Sequence, residues 1–189
     1  MESEAILARL IDALREEHRN MERLLTALEH QAKVVALAGE PDYQLILSIA
    51  QYFCEYPDRC HHPKENAVLE QLQIKCPLEA EPIRYLAWDH IDTYERVVRF
   101  RQNVDELIHG AIIPRAAVVK AALSFIIAER QHMRMEEERF FPVAEKYLAE
   151  DDWSCIEHYI TQSCGPLVLN QAENEFKLIS ERLLEWEKQ

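Results

Sequence analysis

Leu7, Leu10, Leu14, His18, Met21, Leu25 and Leu28 fall three or four residues apart, so they line one stripe of a single long helix. That stripe predicts a first helix over about 4–38, stopped by Gly39 and by Pro41 just beyond. Asp42 is the expected N-cap of a second helix, with Ile46, Ile49, Ala50 and Phe53 on its inner side. Pro57 and Pro63 fall inside that helix. Each removes an amide donor and crowds the preceding turn, so a kink or break is expected near 56–60. The restarted segment carries His61, Glu65, Val68, Leu69 and Leu72 inward.

A third helix is expected over about 81–109, with Ile83, Ala87, His90, Tyr94, Val97, Val104 and Ile108 on one face. A fourth is expected over about 115–149, with Val118, Ala121, Phe125, Ala128, His132, Glu136, Phe140 and Val143 inward and a bend at Pro142. Only three glycines occur in 189 residues, too few for a fold rich in hairpins. The predicted class is all-α: an up-down-up-down four-helix bundle over residues 1–150, with additional C-terminal helices over 151–189. That extension opens at Asp151-Asp152-Trp153 and ends in an amphipathic helix through Phe176, Ile179, Leu183 and Trp186. It is expected to pack on the bundle or to mediate a homodimer. Trp88, Trp153 and Trp186 are read as packing residues.

Charge and composition exclude several classes. Basic residues number 21 and acidic residues 34, a net charge of −13, which argues against nucleic-acid or anionic-membrane partners. No apolar run approaches the roughly 20 residues of a membrane span, and the first residues form no export signal. The five cysteines (Cys54, Cys60, Cys76, Cys155 and Cys164) form no Cys-x-x-Cys pair. Neither a disulfide framework nor a structural zinc site is expected, and a cytoplasmic location with reduced thiols is.

Chemistry enters with two His-x-x-x-Glu pairs, His61/Glu65 and His132/Glu136. A spacing of four stacks imidazole and carboxylate on one helix face. Each pair follows a lone histidine on an earlier stripe, His18 or His90. Six inward donors result, and four imidazoles with two carboxylates suit two borderline metal ions better than one. Iron, manganese and zinc all fit this donor set. Leaving so many polar groups buried without a partner would cost several kcal/mol each. His62 lies one residue off the stripe and is read as solvent-facing or capping, with the role of ligand as its alternative. Glu137 competes with Glu136. Glu129 and Tyr94 are candidates to orient a ligand histidine, Tyr94 having core packing as its alternative. His30, His109 and His158 lack such a context and are expected on the surface.

The segment Tyr56-Pro57-Asp58-Arg59-Cys60-His61-His62-Pro63-Lys64-Glu65, then Asp89-His90, then His132-Met133-Arg134-Met135-Glu136-Glu137 with Phe141-Pro142, resembles the hemerythrin-like (HHE cation-binding) family. The resemblance spans about residues 5–150. It implies a bundle holding two iron ions, oxo- or hydroxo-bridged, with ligands His18, His61, Glu65, His90, His132 and Glu136. Oxygen-carrying hemerythrins pair two histidines four apart on the third helix; here Leu86 and Tyr94 flank His90 at that spacing. One imidazole of that pattern is therefore missing, which points away from a simple reversible oxygen carrier. Asn66 stands where many relatives have a second Glu, and the cysteine-bearing segment of the relatives that repair iron centres is not seen.

The function expected is a di-iron protein that binds O2, NO or peroxide in sensing or in protection against oxidative or nitrosative stress. The alternative is an iron-binding or iron-sensing module without turnover. A bundle with vestigial, metal-free donors is a third reading.

Overall fold

The computed structural model describes residues 2–163, Lys177 and Ile179. Its helices are α1 (Glu2–Ala36), α2 (Tyr43–Tyr56), α3 (His62–Lys75), the short α4 (Pro77–Ala80), α5 (Leu86–Ile108), α6 (Arg115–Met135), α7 (Phe141–Tyr147) and α8 (Glu150–Ser163). No strand occurs among the described residues. Two π-helical turns, Pro57–His61 and Glu136–Phe140, join α2 to α3 and α6 to α7. The bundle therefore has four rods: α1, α2–α3, α5 and α6–α7. Packing of α1 on α6, α6 on α5, α5 on α2 and α2 on α1 closes the ring. No described helix is long and apolar enough to cross a membrane.

Local chemistry sets the ends of the rods. The first helix stops when Ala38 takes a left-handed φ of 60°. Gly39 follows because a Cβ there would meet the Val34 side chain at 2.9 Å. Asp42 caps α2 by accepting the Leu45 amide at 2.9 Å, and Gln31 accepts the Asp42 amide at 2.9 Å. Both π-turns precede a proline by two residues: Pro63 after the first, Pro142 after the second. A proline cannot give its i−4 bond and its ring crowds the turn before it. The chain admits one extra residue there, and the His62 and Phe141 amides reach back five residues to the Pro57 and Glu136 carbonyls. The break expected near 56–60 is thus a π-turn, with its hydrogen bonds kept.

The core has two apolar parts. One gathers Met21, Leu25, Ile49, Phe53, Val97 and Phe125. The other gathers Leu14, Val68, Leu72, Leu86, Phe140 and Trp153. On every rod the buried histidines lie between these parts, with Glu65, Thr93 and Glu136. Helix α8 packs on α3 and α1 and adds Trp153 and Ile156 to the second part.

Four expectations are corrected. Pro77 and Pro82 break the chain before the third rod, so α5 starts at Leu86 and Ile83 is buried from a 3-10 turn. The inner face of α5 is His90, Thr93, Val97, Phe100 and Val104; Tyr94 and Ile108 turn outward, 41% and 40% exposed. Trp88 is 74% exposed and packs no core, whereas Trp153 is buried. His62 is buried rather than facing solvent. The side chains of Leu7 and Ala87, and Cys164, Phe176, Leu183 and Trp186, lie outside the described residues.

Candidate metal centre

The polar layer between the two apolar parts is built by all four rods. Helix α1 brings His18. The first π-turn and α3 bring His61, His62 and Glu65, α5 brings His90, and α6 with the second π-turn brings His132 and Glu136. All seven are buried. Their donor atoms form two groups, each within 4.8 Å: His18, His61, Glu65 and Glu136 in one, and His62, Glu65, His90 and His132 in the other.

Both carboxylates face both groups. Glu65 Oε1 lies 3.0 Å from His61 Nε2 and 3.7 Å from His18 Nε2, while its Oε2 lies 3.4 Å from His90 Nε2. Glu136 Oε2 lies 3.3 Å from His18 Nε2; its Oε1 lies 3.0 Å from His132 Nε2 and 3.5 Å from His90 Nε2. Each carboxylate thus has one oxygen toward the imidazoles of each group.

Carboxylates from outside the groups orient three of the imidazoles. His18 Nδ1–H donates to Glu137 at 3.0 Å, His61 Nδ1–H to Glu17 at 2.8 Å and His62 Nδ1–H to Asp58 at 2.9 Å. Each of these bonds places a proton on Nδ1 and turns Nε2 inward. Cations support two of the carboxylates: Arg15 Nε reaches Glu137 at 3.4 Å, and Lys64 donates to Glu17. The His18 ring also stacks on Phe141, centroids 5.4 Å apart.

Charge is held in balance within the layer. Burial pushes the His18 pKa down, but the carboxylates of Glu136, Glu137 and Glu65 around it prevail and raise it to about 12. The same opposition of burial and carboxylates raises His61 and His132 to about 9 and His90 to about 8. His62 differs: burial outweighs Asp58 and lowers it to about 4, so it stays neutral. Glu65 and Glu136 remain ionised; burial opposes this, but the surrounding imidazoles hold both below the usual carboxylate range.

The donor set fits a metal. Among the described residues, every buried side-chain nitrogen or oxygen without a hydrogen-bond partner belongs to this layer: both oxygens of Glu65 and of Glu136, His90 Nε2 and both nitrogens of His132. Buried polar groups ordinarily have partners. Apart from His132 Nδ1, these lie at ion-pair distances but lack hydrogen-bond geometry with one another, as expected of atoms able to hold a metal.

The six donors expected from the helical stripes therefore converge. Sequence reasoning placed His62 outside because an undistorted helix cannot turn two successive residues to one face. The π-turn ending at His61 removes that constraint. Consecutive histidines between two in-helix prolines were the available signal. Glu137 is drawn to His18 Nδ1 instead of replacing Glu136. Glu129 is buried near His132, its carboxyl pushed up by burial. Tyr94 is 41% exposed on α5. His30, His109 and His158 are exposed, as expected.

Residues 9–144 match the family model of the hemerythrin HHE cation binding domain, a span that includes every donor from His18 to Glu136. No curated protein and no solved structure matches the chain.

Proposed function

We propose that this chain, which belongs to the hemerythrin HHE cation-binding domain family, holds two iron ions in its polar layer and binds O2, NO or peroxide there, in sensing or stress protection. The observation that carries this reading is a pair of donor groups that share Glu65, with Glu136 of the first group also 3.0 Å from His132 of the second. His18 and His61 would serve one position, and His62, His90 and His132 the other. Imidazole with carboxylate suits iron, although manganese and zinc accept the same donors. Bound iron would supply one-electron chemistry and coordination positions open to a small ligand.

The residues themselves contribute preorganisation. Glu137, Glu17 and Asp58 hold three imidazoles in the required tautomer, and Glu65 and Glu136 offset the cationic charge. Apolar parts lie on either side of the layer. The four described cysteines are not joined in disulfides, which suits a reducing cytoplasm.

The test is anaerobic reconstitution with ferrous iron, followed by metal analysis and visible spectra before and after exposure to O2 and to NO. About two irons per chain and a spectral response to either gas are expected. Two irons with no response to either gas, or to peroxide, would select an iron-binding module without turnover. Less than one iron per chain would overturn the di-iron reading.

A further inference from the structure

The support given to the imidazoles is uneven. His18, His61 and His62 each have Nδ1 held by a carboxylate, whereas His132 Nδ1 is buried with no partner. His132 borders a cleft of about 670 Å³ between α5 and α6. Two carboxylates line the same cleft, Asp89 and Asp92. Asp92 is engaged by Arg96, which approaches it at 2.7 and 3.3 Å. Asp89, directly before His90, is the other carboxylate of this cleft; Glu129 also lies near His132 but does not line the cleft. Partial burial raises the Asp89 pKa, and the His132 and His90 imidazoles act on it in the opposite sense, which places it within their electrostatic reach.

We propose that Asp89 is a positioning residue of the centre, accepting the His132 Nδ1–H when Nε2 is engaged by a metal ion. The assignment rests on the metal reading above. A cation on Nε2 withdraws electron density from the ring and makes Nδ1–H a stronger donor, which a buried site must satisfy. The cleft gives the Asp89 side chain room to turn toward that nitrogen. His132 then has the same support as His18, His61 and His62, and one stretch of α5 serves the same metal position twice, through His90 and through Asp89.

The test loads the full chain with Co²⁺, whose visible ligand-field bands report the coordination, and follows cobalt loss to a chelator. Asp89→Asn is expected to weaken cobalt binding by about 10- to 100-fold and to shift the bands. Asp89→Glu is expected to restore both, and Asp92→Asn to leave both unchanged. Helix content of the metal-free variants, measured by circular dichroism, checks that folding is intact. Wild-type behaviour in Asp89→Asn overturns the assignment. Equal losses in Asp89→Asn and Asp92→Asn also overturn it, because a general effect of cleft charge would then suffice. A wild-type chain that takes up no cobalt overturns the metal reading itself, a distinct outcome.

Discussion

The imidazole of His62 lies flat against that of His90, ring centroids 3.7 Å apart and planes 9° apart. The two rings come from different rods and join the same donor group with His132. Because His62 is neutral, it offers a lone pair without first losing a proton, unlike His18, His61, His90 and His132.

His62→Ala is therefore expected to lower metal content about as much as His90→Ala, while His158→Ala leaves it unchanged. Elemental analysis of the purified variants decides this. Wild-type metal content in His62→Ala would show that its burial serves packing alone.

Glu136 faces both groups and His61 only one. Glu136→Ala should empty both positions together, whereas His61→Ala should impair one more than the other. Metal titration monitored by calorimetry would show two transitions in wild type, one dominant transition in His61→Ala and neither in Glu136→Ala. Equal partial losses in both variants would contradict a bridging role for Glu136.

Metal held only by the folded chain stabilises it by mass action, by roughly 3 kcal/mol when free metal is about 100 times Kd. Chelation is expected to lower Tm, and re-addition of iron to restore it. An unchanged midpoint after verified metal removal would rule out a buried site shared by four rods.

The metal-free protein should have a stability maximum bounded on both sides. Glu65 and Glu136 have folded-state pKa values below the unfolded value, so their contribution is present above about pH 4.5 and is lost as the pH falls further. His90, His61 and His132 have folded-state values raised to about 8, 9 and 9. Their contribution is complete below about pH 6.5 and is lost as the pH rises through 8–9. Iron would replace those protons as the counter-charge, so the loaded protein should lack the alkaline loss up to about pH 9. Thermal melts of both forms from pH 4 to 10 test this; parallel alkaline losses would contradict it.

Asp152 isolates stability from chemistry. It accepts the Ala149 amide at 2.9 Å and the Gln71 amide at 2.6 Å and pairs with Lys75 at 3.0 Å, joining the start of α8 to α3. Asp152→Ala is expected to cost about 1–3 kcal/mol in denaturant unfolding with metal stoichiometry unchanged. Loss of metal in this variant would show that α8 supports the centre directly.

Much of this fold was legible because helix periodicity is local. The stripe through Leu14, His18 and Met21, and the four-residue steps from His61 to Glu65 and from His132 to Glu136, need only the helical repeat to be read. Tyr94 and Ile108 misled for the same reason: periodicity bounds a face only loosely, and neighbouring rods decide which edge of it is covered.

The sequence by itself determined the four rods, the polar layer across them and six of its donors, because each follows from residue spacing along one chain segment. The tertiary structure decided three further features. A π-turn brought His62 inward. Glu17 and Glu137 reached their imidazoles across 44 and 119 residues of chain. Glu65 came to join both donor groups, and Glu136 came to lie between His18 of one and His132 of the other. The two cross-chain features depend on contacts between rods, whose rotation and height are set by packing on both sides of the layer. The π-turn depends on where a proline-strained helix places its extra residue. No spacing within a single helix encodes any of the three.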